Sequence, residues 1–208
     1  MATDTVQLET KVGPQTPQAD GVVLQYPRGC KTGELGTSQC HAPHYEAASR
    51  GKLFMASNQS VVTFGTALTA TGVTFHLYNP VGSPVNLVVL QTQITVLTAG
   101  TGGHIVYAAN VNPLAAAPAT NTELVVRNAK LDLAPGFGKA YSVTTLPAAP
   151  VAVRPFIGAI TAAGIGAFVD YVDGAIILGP NTCLSIQGIT IVGTGLIGML
   201  WEEVPIQS

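Results

Sequence analysis

Apolar positions along this chain recur in short runs, and the residues that fill them are mostly β-branched or aromatic. "SVVTFGTAL", "GVTFHLYNP", "VNLVVLQTQITVLTA" and "HIVYAANV" in the first half suit a pleated, half-buried surface, and Gly, Pro, Asn or Ser bounds most of them. The second half continues with "ELVVRNAKLDLA", "KAYSVTTL", "VAVRPFIGAIT", "IGAFVDYVDGAIILGP", "TCLSIQGITIV" and "GTGLIGMLWEEVP". Alternation in the second run predicts Val73, Phe75 and Leu77 on a buried face, with Thr74, His76 and Tyr78 outward. The best helical stretch is "APHYEAASRGKL", 42–53, while "NPLAAAPAT" is broken by Pro113 and Pro118. Strand candidates that follow one another at roughly 10–15 residues, with turns and no helices between them, predict an all-β fold: an antiparallel, jelly-roll-like β-sandwich.

Charge divides the chain. Residues 1–52 hold five of the nine Lys and Arg, many turn-forming residues and almost no apolar periodicity. They are expected to form an extended N-terminal arm, with the sandwich over 53–208. From Leu53 to Thr122 there is no Asp, Glu, Lys or Arg in 70 residues, and the whole chain is only 10% charged against a usual share of roughly 25%. A surface that poor in charge implies cover by other chains.

The same balance excludes several partners. A net charge of −2 with scattered basic residues offers no footprint for a nucleic-acid backbone. Asp170 and Asp173 interrupt one apolar run, and Gly188 to Trp201 is only 14 residues with four glycines, too short for the roughly 20 that span a bilayer as a helix. The first residues are polar and lack the apolar core of a secretion signal, so the expectation is synthesis and assembly in a host cytoplasm. Cys30, Cys40 and Cys183 are too few for a disulfide framework and are expected as free thiols.

Candidate chemistry is sparse. Cys30, Cys40, His41 and His44 carry zinc-ligand atoms, but C-x9-C-H-x2-H departs from paired finger spacing, so loop residues are the favoured reading. Asp170 and Asp173 in "DYVDG" read as a polar turn joining two strands rather than a calcium loop. "TAGTGGHIV", 98–106, lacks the lysine and following helix of a phosphate loop and reads as a hairpin or interface turn. His76 and His104 lie on strands without a nucleophile elbow. Glu202 and Glu203, being adjacent on a strand, face opposite sides and cannot act together on one bond; they are expected to solvate the terminus or to pair with a neighbouring subunit. The expectation is a non-enzymatic protein with no catalytic, cofactor-binding or metal-binding residue assigned. "CLSIQGITIV" and "GLIGMLWEEV" read as paired core strands joined at Gly193–Gly195, with Trp201 closing the core edge.

Two stretches carry a resemblance. "FHLYNPVGSPVNLVVLQTQI", 75–94, with its NP-x-GS-x-x-NL pattern, and "DGAIILGPNTCLSIQGITIVGTGLIGMLWEEVP", 173–205, resemble small jelly-roll structural proteins of tailed bacteriophages. The resemblance covers about a quarter of the chain, and no catalytic motif travels with it. It implies a capsid cement or decoration protein on the virion surface, whose partners are the major capsid protein and copies of itself as a homotrimer. A tail, fibre or baseplate component and a carbohydrate-binding sandwich are the alternatives, the latter disfavoured by a single Trp and six Tyr.

Overall fold

The computed structural model describes residues 44–99, 102–110, 114–119, 122–157 and 166–206. After a single helical turn, α1 (Tyr45–Ser49), the chain forms β1 (Leu53–Ser57), β2 (Val62–Phe64), β3 (Phe75–Asn79), β4 (Val85–Ala99), β5 (His104–Ala109) and β6 (Thr122–Leu124). There follow β7 (Arg127–Asn128), β8 (Lys139–Ser142), β9 (Val151–Ile157), β10 (Gly166–Leu178), β11 (Thr182–Ile189) and β12 (Gly193–Pro205). The all-β expectation holds, as does the helix inside 42–53. Of the proposed arm, residues 44–52 are described and 1–43 are not. β1 is a strand that the periodicity analysis did not mark, because five residues of "LFMAS" show too little alternation.

Two six-stranded antiparallel sheets face each other. The first runs β10-β4-β12-β1-β7, with β2 also paired to β12; the second runs β6-β8-β3-β11-β5-β9. One apolar layer lies between them, drawing Phe54, Leu87, Ile94, Ile197 and Trp201 from the first sheet and Phe75, Leu77, Ile105, Tyr107 and Ile186 from the second.

Several local expectations change once the sheets are seen. β11 and β12 are not a hairpin: each is a central strand of a different sheet, so residues 190–192 cross from one layer to the other and Gly193 opens β12. Trp201 accordingly sits fully buried in the middle of the core, not at its edge. β4 and β5 also belong to different sheets, so the glycine-rich segment between them is a crossing and not a hairpin. Gly103 there packs so closely on the backbone of Ile189 and Ile191 that a Cβ would lie 2.4 Å from the Ile191 nitrogen. "ELVVRNAKLDLA" divides into β6 and β7, again one in each sheet.

"DYVDG" is not a turn between two strands but a bulge within β10. Tyr171 pairs with Gln91 and Ile176 with Val89, leaving Val172 to Ala175 opposite Leu90 alone. Asp173 and Gly174 both take positive φ there, 48° and 80°. β12 skips Leu90 as well, pairing Leu200 with Gln91 and Trp201 with Val89. The skipped residue inverts the strand's parity, so that Val85, Leu87 and Val89 before it and Thr92, Ile94 and Val96 after it are all buried.

The two stretches with the phage-protein resemblance meet in space as adjoining corners. In the first, Ser83 N–H donates to the Pro80 carbonyl at 3.2 Å and Gly82 has φ 75°, the positive angle that the third residue of a type II turn requires. Fully buried Asn79 donates from Nδ2 to the carbonyls of Val85 and Leu178 at 2.8 and 2.9 Å, and its own carbonyl accepts Asn181 N–H at 2.9 Å. One amide side chain thus ties the crossing from β3 to β4 to the crossing from β10 to β11.

Truncating the central core residue separates this packing from the exposed apolar loops. Trp201→Ala is expected to lower the unfolding free energy by about 3–5 kcal/mol, whereas Leu131→Ala, exposed in the loop after β7, shifts it by no more than about 0.5 kcal/mol. Denaturant titration followed by far-ultraviolet circular dichroism checks both values.

Candidate functional site

The two sheets solve their outer faces differently. On β3 the expected alternation fails, because Thr74, His76 and Tyr78 are as buried as Val73, Phe75 and Leu77. The reason is a second layer laid over the outside of the second sheet. Val73, Tyr78, Leu114, Tyr141, Leu146 and Cys183 form a satellite core there. Bridges Val73–Thr144 and Ala119–Thr145 pin the covering segments.

Polar groups trapped under that layer are mostly paired, as burial requires. Gln187 Nε2 donates to the Thr69 carbonyl at 3.1 Å while its Oε1 accepts Thr69 N–H at 2.9 Å. Ser185 Oγ donates to the Ala108 carbonyl at 3.1 Å, and Asn110 Nδ2 to the Ala148 carbonyl at 2.6 Å. Cys183 Sγ donates to Asn110 Oδ1 at 3.3 Å, and burial pushes its thiol up to about 11, away from the thiolate that nucleophilic chemistry uses.

His76 is the exception. It is fully buried, its ring lies 4.9 Å from that of Tyr141, and neither ring nitrogen has a hydrogen-bond partner. Ser185 stands opposite it in the pairing of β3 with β11, but the serine hydroxyl is committed to Ala108. The contact between nucleophile and base that activates a serine is therefore absent from this pair. Burial lowers the imidazole to about 3, so the ring is neutral.

Among the described residues the other candidates do not assemble into a catalytic or metal site. Cys30, Cys40 and His41 lie outside the described residues. His44 precedes α1 with φ 71°. Among the described residues no three His, Cys, Asp or Glu side chains are grouped to hold a metal. His104 is exposed at the start of β5, remote in register from His76's strand.

Asp170 and Asp173 separate: the second is exposed in the bulge, and the first turns inward. Asp170 accepts the Tyr107 hydroxyl at 2.9 Å and an Arg154 guanidinium N–H at 3.0 Å, while Arg154 lies 5.9 Å over the Tyr107 ring. This cluster joins β10 of the first sheet to β5 and β9 of the second. Burial pushes the Tyr107 phenol upward, keeping it a donor. Glu202 and Glu203 face opposite ways, as expected for neighbours on a strand. Glu203 does not solvate the terminus; its carboxylate is buried and accepts the backbone N–H groups of Phe137 and Gly138 at 3.0 and 2.9 Å.

Among the described residues no such layer covers the first sheet's outer face. Across it the register sets Tyr171, Gln91, Leu200 and Met55 in one row, Val169, Gln93, Gly198 and Ser57 in the next, and Ala167, Thr95 and Leu196 beyond. Tyr171 is 65% exposed, Ile177 60% and Val169 47%, and Leu97 and Met55 are exposed as well. The first row ends in a charge, because Arg127 on β7 pairs with Met55; the other side chains of these three rows are uncharged. Glu202 lies in the adjoining row between Val88 and Leu53, and Asp173 is exposed in the β10 bulge. Sequence reasoning missed this surface, although "GLIGMLW" shows its signal: apolar residues at both parities of one strand.

A scan against protein-family models, a search of curated proteins and a search of solved structures each find no match for this chain.

The buried imidazole predicts a pH response. Above pH 6.5, its ordinary value, His76 is neutral in both the folded and unfolded chain. Between 6.5 and about 3 only the unfolded chain takes up the proton, so stability falls as pH drops, by up to about 1.4 kcal/mol per pH unit. The loss of stability from pH 7 to pH 5 is expected to be smaller in His76→Leu than in the parent by about 2 kcal/mol. Urea unfolding at both pH values measures it, and an equal loss in the two proteins would contradict the assignment.

Proposed function

We propose that this chain is a non-enzymatic structural protein of a virus particle, a cement or decoration subunit that binds the major capsid protein and stabilises its lattice. The observation that carries the reading is the outer face of the first sheet, several strands wide, where exposed apolar residues such as Tyr171, Val169 and Met55 flank uncharged Gln91, Gln93 and Thr95. The solvated face of a sandwich ordinarily carries polar residues in alternation, and a contiguous apolar surface marks a place of contact.

Connectivity supports the same reading. With β1, β3, β4, β5, β9, β10, β11 and β12 taken as eight principal strands, the first sheet holds the sixth, third, eighth and first. The second sheet holds the second, seventh, fourth and fifth. We read this order as a jelly roll, an architecture that viral capsid proteins use. The corners that carry the phage-protein resemblance are the ones stapled by Asn79, so the resemblance falls on a structural feature rather than on scattered positions.

Function on this reading is adhesive. Burial of apolar area at roughly 25 cal/mol per Å² holds the subunit to its neighbours, and the scarcity of charge leaves little for salt to screen.

An electron-microscopy map of the virus particles made where this chain is expressed tests the reading directly. Two-sheet density on the outer shell is expected. Density confined to the tail would move the protein to a tail, fibre or baseplate role, and a particle that lacks the chain would refute the virion assignment.

A further inference from the structure

We propose that the outer face of the first sheet is a contact between copies of this chain. The inference rests on the adhesive reading of that face given above and adds its occupant. Three observations point to a second copy rather than to a charged or nucleic-acid partner.

The first is electrical. Tyr171, Val169, Leu200 and Met55 with Gln91, Gln93 and Thr95 present no net charge to be matched, so an approaching partner must itself be neutral if it is not to bury an unpaired ion. A copy of this chain meets that condition over the same residues, its charges Arg127, Glu202 and Asp173 lying around them.

The second is the hydrogen-bonding character of the polar groups. Gln91 and Gln93 stand side by side in the pairing of β4 with β10 and β12, at the centre of the face. A glutamine amide is donor and acceptor at once, so it satisfies a second amide of the same kind. Carboxylates or ammonium groups at these positions would repel their own copies.

The third is size. Four strands at about 4.8 Å spacing and the five residues from Gln91 to Thr95 at about 3.3 Å give a projected footprint on the order of 300 Å², which rows extended through Ile177 and Leu97, and so past Glu202, roughly double. A surface roughened by side chains exposes more than its projection. The usual share per partner in a stable interface is about 800 Å². The face is therefore large enough to hold a self-contact with modest help from its margins. A two-fold assembly seats the face on itself, so that the uncharged rows and the glutamines of the two copies meet.

The experiment uses the full chain, purified alone, with native mass spectrometry and light scattering to read its mass. An oligomer is expected for the parent, with an association that changes little between about 0.05 and 1 M salt. Gln93→Glu places one carboxylate per copy at the centre of the face and is expected to weaken association by about 10–100-fold at low salt, with partial recovery at high salt. Val169→Lys combined with Leu200→Lys is expected to yield monomers, with Gln93→Glu as the milder variant should the double change impair folding. Val151→Lys, exposed on β9 of the second sheet, is expected to leave the oligomer intact. A monomeric parent would overturn the self-contact while leaving the capsid reading to the electron-microscopy map. An oligomer whose mass and salt response are unchanged in folded Gln93→Glu would overturn it as well.

Discussion

A β-sandwich has one inner layer and two outer faces, and this chain has too few charged residues to solvate both outer faces. That shortage governs the rest of the molecule. The inner layer is filled in the ordinary way, with Trp201, Tyr107, Phe75 and Leu87 interleaved from both sheets. The second sheet then buries its own outer face under the segments around Ala70, Leu114 and Leu146, and nearly every polar group caught there finds a partner. His76 is tolerated in that layer because it stays neutral. Among the described residues no such layer lies over the first sheet, whose exposed rows set Tyr171, Val169, Leu200 and Met55 among uncharged Gln91, Gln93 and Thr95.

Positioning that uncovered face falls to a small set of polar side chains. Asp170, held by Tyr107 and Arg154, fastens the edge strand β10 to the opposite sheet, so that Val169 and Tyr171 on either side of it are fixed outward. Asn79 locks two corners together, and Glu203 holds the loop at Phe137 and Gly138 against the end of β12. Asn58 does the same deeper in the fold: it accepts Ile197 N–H at 3.1 Å and donates to Ser142 Oγ at 2.8 Å, linking β12 to β8. Each of these groups joins one sheet to the other or a corner to a strand, so the outer rows of the first sheet sit on a braced support.

Strand content and the helical turn were legible in the sequence because periodicity and turn residues are local signals. Pairing was not, because it depends on contacts far apart in the chain. "TIVGTGL" looks like a hairpin by its glycines, yet these serve close backbone approaches: a Cβ on Gly195 would lie 2.2 Å from the Thr95 carbonyl oxygen. "DYVDG" has the composition of a turn and uses it in a bulge. Alternation misled at His76, where burial comes from distant loops that no local pattern encodes. Of the surface now assigned to contact, the sequence showed the missing charge from Leu53 to Thr122 but not the register that gathers Gln91, Tyr171 and Leu200 into one row.

The claim on which the account turns is that the first sheet's outer face is covered in the assembled protein. Hydroxyl-radical footprinting of the oligomer and of the dissociated chain, read by mass spectrometry at each residue, addresses it most directly. Tyr171 and Met55 are predicted to be labelled strongly in the dissociated chain and weakly in the assembly, with Phe137, exposed in a loop away from the face, labelled in both. Equal labelling of Tyr171 and Met55 in the two states would show the face open to water and would contradict the account.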